Sequence, residues 1–305
     1  MQKTVLSTAD VARLFDVTET TVKRWADDGT LKCQKTPGGH RKFLMKYVVE
    51  FASQHNYEPL GVLSLTEGDT HAAEIESAIV LRDFNLLQRA FVEKALSPDE
   101  TDLFHYFSFL YQHHFQLWEL YDLILSPGMR EIGDRWVRGE IGISHEHRAS
   151  HEVMDALAKL QTQVVIRERT GHSVICACIE DELHEIGLRG AAYLFESEGW
   201  KVHYLGARTP ADALIDSISE LRPTVVCISV TDPATPGPIR AVLQRVVEAA
   251  HHRTAQIVVG GAGASDELMD ALMCDGVYHT ARGLMTYIQG FPRPDRSGNN
   301  EHNVH

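Results

Sequence analysis

Nowhere in the 305 residues does an apolar run approach the roughly 20 needed to cross a bilayer, and the N-terminus lacks the pattern of a signal peptide. No membrane partner is expected, and a cytoplasmic location is. Cysteine is scarce. Cys33, Cys176, Cys178, Cys227 and Cys274 form no Cys-x-x-Cys pair, and Cys176 and Cys178 alternate along an expected strand. Such thiols read as reduced and structural. Positive charge is also in deficit, with 29 Lys and Arg against 42 Asp and Glu and a net charge of −13. That excludes wholesale nucleic-acid affinity. No internal repeat of useful period is visible.

What is present is ordinary for a soluble protein of two or three domains, 44% hydrophobic and 23% charged. The charge, however, is uneven. Between Thr20 and Lys46 lie Lys23, Arg24, Lys32, Lys35, Arg41, Lys42 and Lys46, opposed only by Asp27 and Asp28. A local basic patch on an acidic chain points to one dedicated DNA-facing module.

Ser7-Thr8-Ala9-Asp10 predicts a capping box opening a first short helix, with Val11, Ala12 and Leu14 on its buried face. Phe15-Asp16-Val17 makes a turn, and Thr18 caps a second helix whose Val22 and Trp25 face inward. Thr20, Thr21, Lys23 and Arg24 are left outside, the arrangement of a recognition helix in a major groove. Gly38-Gly39 then suits a tight hairpin whose tip, His40-Arg41-Lys42, can reach phosphate or the minor groove. A small helical interaction module is the alternative reading of the same residues.

Tyr57 to Thr70 reads as a linker, and His71 to Val165 is helical in period. One helix is expected to run from Ile75 through Phe91 and a second from Leu103 to His113. A third, Leu117 to Trp136, is expected to be interrupted at Ser126-Pro127-Gly128, and a fourth runs from Gly142 to Arg167. Short connections make these an up-down bundle. From His172 onward, expected strands at 173–179, 201–205, 224–230, 256–260 and near 277–279 alternate with helices at 187–197, 210–221, 238–251 and 265–274. That alternation predicts an α/β doubly wound parallel sheet. Boundaries follow: residues 1–57 for the DNA module, 58–72 for the linker, 73–167 for a four-helix bundle, 171–290 for the α/β domain, and 291–305 for a disordered polar tail.

The chain is organised around Asp181-Glu182-Leu183-His184-Glu185-Ile186-Gly187, a polar turn between the first apolar strand and its helix. In an open α/β sheet this is the ligand-binding edge. His184 is free to point out, Gly187 permits close approach, and an acidic neighbour can orient the ring. A solvated polar turn is the plainer reading. Ser229-Val230-Thr231 and Gly260-Gly261 end the third and fourth expected strands, and a Gly-rich turn would equally suit a phosphate.

Three motifs carry a resemblance. Residues 17–31 and 36–43, with Thr21-Val22-Lys23-Arg24-Trp25-Ala26 and Thr36-Pro37-Gly38-Gly39-His40-Arg41-Lys42-Phe43, look like the winged helix-turn-helix of MerR-family regulators. Glu182-x-His184-x-x-Gly187 resembles the cobalamin signature Asp-x-His-x-x-Gly of flavodoxin-like cobalamin domains. Trp136, followed after nine residues by Glu146-His147, resembles the Trp-x9-Glu-His signature of CarH/LitR photoreceptor regulators. The residues alone also allow Trp136 to fill the bundle core with Glu146-His147 on the surface.

The resemblance implies a ligand-responsive transcriptional regulator of promoter DNA, in a family where light releases repression, and not an enzyme. It would bind adenosylcobalamin between bundle and sheet, with His184 as the cobalt ligand below and Trp136, Glu146 and His147 above. Ser229, Thr231, Gly260 and Gly261 would line a slot for the nucleotide tail. Binding would act through a homo-oligomer, a dimer or tetramer, and light would be the signal. One position departs from that pattern: Val137 stands where light-sensing members are expected to carry a histidine. The alternatives are the same architecture holding a bilin, haem or other tetrapyrrole, or a cobalamin methyl-carrier or mutase subunit.

Overall fold

The computed structural model describes residues 5–15, 17–36, 38–44, 47–48, 51, 55, 70–97, 103–231, 238–264 and 272–293. Most of the expected linker, the expected tail beyond Arg293 and most of the expected helix 265–274 lie outside these residues. The chain divides into two compact units, residues 1–90 and 91–305.

In the first unit, β1 (Val5–Leu6) leads into α1 (Thr8–Leu14) and α2 (Glu19–Asp27), followed by β2 (Gln34–Lys35) and β3 (Arg41–Leu44). The capping box is present: Asp10 Oδ2 accepts from the Ser7 backbone N–H at 2.8 Å, and the Asp10 N–H donates to Ser7 Oγ at 3.2 Å. Thr18 caps α2 by accepting the Thr21 N–H at 3.3 Å. The strands pair antiparallel in the order β1-β3-β2, and Gly39 takes φ +78° in the turn between β2 and β3. Val11, Val22, Trp25, Leu31, Phe43 and Phe51 form the core beneath this wing.

The helix expected from Ile75 through Phe91 is two helices. α3 (Thr70–Leu81) ends at Arg82, which takes φ +53°, and α4 (Phe84–Leu96) restarts with Asp83 Oδ1 accepting the Leu86 N–H at 3.1 Å. Val80 and Leu81 of α3 pack against the helix-turn-helix core. This corrects the assignment of that stretch to the bundle alone.

The second unit holds α5 (Leu103–Gln112), a long α6 spanning 117–137, and α7 (Ile143–Gln161). α6 is not interrupted at Ser126-Pro127-Gly128. Leu117–Glu119 passes into a π-turn, Leu120–Leu125, and then into Ser126–Val137, with right-handed helical backbone at both junctions. The π-turn shifts the ladder, so that the Ser126 N–H reaches Tyr121 O. That displaces the carbonyl which the Pro127 ring would otherwise strike. Gly128 lets α6 lie against α4, because a Cβ there would fall 2.4 Å from Phe91.

Five parallel strands follow: β4 (Ser173–Ile179), β5 (Lys201–Thr209), β6 (Val225–Ser229), β7 (Gln256–Gly260) and β8 (Gly276–Tyr278), in the order β5-β4-β6-β7-β8. The intervening helices are α8 (Ile186–Ser197), α9 (Ala211–Leu221) and α10 (Pro238–His252). A last helix, α11 (Ala281–Gln289), was not expected. β5 runs four residues beyond the expected Leu205, because Gly206 at φ +83° and register shifts against β4 let it bend and continue. Alternate residues of β4 and β6 divide the sheet. Ile175, Ala177, Ile179, Val226 and Ile228 pack on α9 and α10, leaving Cys176, Cys178, Cys227 and Ser229 on the other face. All five cysteines are free thiols. Among the described residues, no helix is long and apolar enough to cross a membrane.

Candidate functional site

The strand order reverses between β4 and β6, and at that point an open sheet leaves a crevice beyond its carboxyl ends. The turn after β4 fills one wall. Glu182 Oε1 accepts the His184 backbone N–H at 2.9 Å and pairs with His184 Nδ1 at 2.7 Å, while its Oε2 accepts the Thr231 N–H, at the end of β6, at 2.7 Å. The Glu182 side chain is only 7% exposed, whereas that of His184 is 72% exposed. Burial works to raise the Glu182 carboxyl, but the N–H groups of His184 and Thr231, with the His184 ring, outweigh it and hold the group below its ordinary range. A buried carboxylate fixed by two backbone donors thus claims Nδ1 and leaves Nε2 facing outward, the tautomer a metal-ligating imidazole needs.

The glycines divide by role. A Cβ on Gly261, at φ +106°, would lie 2.3 Å from Val230 O, and one on Gly260 would lie 2.8 Å from Tyr278 O. These two are required by the close approach of neighbouring chain ends. A Cβ on Gly187 would meet nothing within 4 Å, so packing does not demand glycine there. The surface at Gly187, three residues after His184, is therefore open. Ser229 is buried, and the Thr231 N–H serves Glu182.

Sequence reasoning missed a second layer. Tyr204 of β5 donates its hydroxyl to Glu185 Oε2 at 2.8 Å, and the Arg189 guanidinium lies 3.4 Å from the Tyr204 ring centroid. Burial, then the Glu185 acceptor, pushes the Tyr204 hydroxyl well above its ordinary range. The four-residue spacing of Glu185 and Arg189 at a helix start was the only available signal; Tyr204 is linked to them through the sheet. Cys178 also lies beneath the turn, its Sγ 3.7 Å from His184 O. Its thiol is pushed up to about 12 by burial and by the Glu182 and Glu185 charges, so it stays protonated.

In the bundle, Trp136 is 45% exposed and Val137 is 77% exposed, at the end of α6. This overturns the reading of Trp136 as core filler. Glu146, in the first turn of α7, accepts the Ser150 hydroxyl at 2.8 Å, and the exposed His147 ring lies 3.7 Å from Glu146 Oε2. Both groups, with the His184 turn, belong to the unit 91–305.

On the DNA-reader candidate, Thr20, Lys23 and Arg24 stand exposed on α2, while Thr21 is half-buried with its hydroxyl 3.0 Å from that of Thr18. His40 is exposed at the wing tip and Lys42 is half-buried on β3. Arg41 is placed differently from its expected role. Its side chain is 18% exposed and its guanidinium donates to both Asp27 oxygens, at 2.6 and 2.8 Å, pinning the wing to α2. The hydrogen bond from Arg41, with Lys35 adding charge, holds the Asp27 carboxyl below its ordinary range. A shallow depression lined by Arg222, Thr224, His252 and Arg253 sits at the amino ends of the strands, the edge opposite His184.

Comparison with known proteins adds an independent line. Residues 172–285 match the B12 binding domain family, residues 88–161 match a second B12 binding domain family, and residues 5–56 match a helix-turn-helix domain. Over 145 residues the chain is 33% identical to the HTH-type transcriptional repressor CarH of Myxococcus xanthus, covering 47% of each. Over 147 residues it is 31% identical to the HTH-type transcriptional repressor CarA of the same organism, covering 48% of each. The chain spans about half the length of the curated relatives it matches. The structure of the Methanosarcina barkeri monomethylamine corrinoid protein superimposes with a TM-score of 0.56 at 16% identity, over 68% of this chain and 97% of that one. It shares the fold. The chain thus joins a stretch that matches a helix-turn-helix domain to two stretches that match B12 binding domains.

Proposed function

We propose that this chain is a transcriptional repressor that reads double-stranded promoter DNA and senses a cobalamin, in its adenosyl form, held between the bundle and the sheet. The observation that carries the reading is the fixed pair at the strand-order reversal: Glu182, anchored by Thr231, commits His184 Nδ1 and turns Nε2 outward, and the surface at Gly187 is open. When bound, a corrinoid would supply a cobalt able to take an imidazole nitrogen and, in the adenosyl form, a light-labile alkyl group. His184 would hold the cobalt through Nε2, and Glu182 would keep the ring oriented. Ser229, Thr231, Gly260 and Gly261 would border the nucleotide tail. Trp136, Glu146 and His147 would close the upper side, where an exposed indole suits a flat apolar face.

DNA contact would fall to Thr20, Lys23 and Arg24 in the major groove and to His40 and Lys42 at the wing, with Arg41 holding the wing in place. One such module makes few phosphate contacts, so operator affinity would come from a dimer or tetramer, and ligand state would act by setting how many modules engage. Light would act through the same site.

The test is the visible spectrum of purified protein with and without added adenosylcobalamin. Stoichiometric uptake with an imidazole-ligated spectrum is expected, and His184→Ala should weaken uptake or give a base-off spectrum. A protein that ignores adenosylcobalamin, or a His184→Ala variant with unchanged spectrum and affinity, would overturn the reading.

A further inference from the structure

Bundle and sheet also meet away from His184. The π-turn of α6 presents Asp122 to the start of α11, where Asp122 Oδ1 accepts the Ala281 N–H at 2.7 Å and Oδ2 accepts the Arg282 N–H at 2.9 Å. The Thr280 hydroxyl takes the Gly283 N–H at 3.1 Å. Three N–H groups that a helix start would leave unsatisfied are therefore bonded, two of them by a residue about 160 positions earlier in the chain. A carboxylate at this end also meets the positive pole of the helix. One turn earlier on α6, Trp118 receives the Arg282 guanidinium 4.9 Å from its ring centroid. Tyr121 packs on α8, where a Cβ at Gly190 would stand 3.4 Å from its ring.

The π-turn makes this possible. Within the turn, Asp122 faces α11 while Leu120, Tyr121, Ile124 and Leu125 stay buried. The same helix then runs on unbroken to Trp136 and Val137. Fourteen residues separate Asp122 from Trp136, about 20 Å of helix, so a tilt of about 10° at the first end moves the second by roughly 3 Å. That distance separates contact from no contact.

We propose that Asp122 is a latch fixing α6 against the sheet, and so a positioning residue for the cap that Trp136 places over the ligand. The inference rests on the cobalamin reading above. Asp122 touches no part of the predicted site; it acts through the helix.

Full-length Asp122→Ala and Asp122→Asn are the variants. In ligand-free protein, amide exchange at Ala281 and Arg282 should speed up at least tenfold in Asp122→Ala, because both donors lose a charged acceptor. In titrations with adenosylcobalamin, followed by absorbance, Asp122→Ala should bind about tenfold more weakly and yet reach the wild-type imidazole-ligated spectrum at saturation, since the His184–Glu182 pair is untouched. Asn keeps one acceptor oxygen but turns its NH2 against the other N–H, so Asp122→Asn should keep protection at only one of residues 281 and 282 and bind between Asp122→Ala and wild type. Unchanged exchange at 281 and 282 would mean that no latch exists. Faster exchange with wild-type affinity would remove the positioning role. A base-off spectrum at saturation would show that the damage reaches His184 and would also overturn the proposal. A wild type that takes up no cobalamin sinks the functional reading and the positioning role together, and the exchange data alone then decide whether the latch exists.

Discussion

Replacing Glu182 by glutamine changes one oxygen to an amide nitrogen and tests the argument at its centre. The carboxylate accepts three hydrogen bonds, from the His184 N–H, the His184 ring and the Thr231 N–H. Glutamine can keep its oxygen toward His184, but its NH2 group then faces the Thr231 N–H, donor against donor. Losing one bond to a charged acceptor and opposing a half-buried donor costs about 2–3 kcal/mol. Urea unfolding at pH 7.5 should show that loss as a lower midpoint with an unchanged slope. Because the ring's partner becomes a neutral and weaker acceptor, cobalamin affinity should fall about 10-fold. The pH dependence has a definite sign. The folded Glu182 carboxyl lies below its ordinary 4.5, so its contribution is complete above that value and is lost as pH falls through the folded pKa. The gap between wild type and Glu182→Gln should therefore stay constant from neutral pH down to about pH 5 and close only below about 4.5. Equal stability and affinity for the two proteins would refute the reasoning.

Arg24→Ala should lower the salt dependence of operator binding by about one unit in a gel-shift or anisotropy titration, the loss of one phosphate contact. Arg41→Ala should lower affinity with a smaller change in slope, because that guanidinium is already paired with Asp27. Gly261→Ala should destabilise by about 3 kcal/mol or more in urea unfolding, from the positive φ together with the approach to Val230 O. Val137→His should add an upper nitrogen that the native chain lacks at that place; with adenosylcobalamin and light, the variant should resist exchange with added cyanide while the wild type exchanges readily.

The parts legible in the sequence were those governed by local pattern. The apolar runs at β4, β6 and β7, the capping box at Ser7 and Asp10, and the His184 turn each announce themselves within a few residues. What escaped depends on partners far along the chain or on irregular backbone. Arg82 at φ +53° ends α3 with neither glycine nor proline to mark it. Pro127 looks like a helix breaker until the π-turn before it is known. Asp27 and Arg41 are 14 residues apart across a turn and a strand, so basic charge in the wing read as DNA contact when one of its members is a brace. α11 is short, with only Leu284 and Ile288 fully turned inward, and its start is completed by Asp122 from the bundle.

The exposed apolar residues bear on the cap more directly than any motif. Leu183 stands out beside His184, Trp136 and Val137 end α6, and Ile143 opens the helix that carries Glu146 and His147. Apolar surface left in water forgoes about 25 cal/mol per Å² of stabilisation, so a ligand that covered these side chains would gain by it. The fold does bury such groups when it has use for them inside, as with Trp25 and Trp200. An indole kept outside for a ligand should matter little to the empty protein and much to the filled one. Trp136→Ala should therefore shift the urea midpoint of ligand-free protein by about 1 kcal/mol or less. The same change should weaken adenosylcobalamin binding about tenfold, the usual weight of one aromatic contact. The opposite ranking, a destabilised empty protein that binds as well as wild type, would give Trp136 a structural role and remove the cap from the proposal.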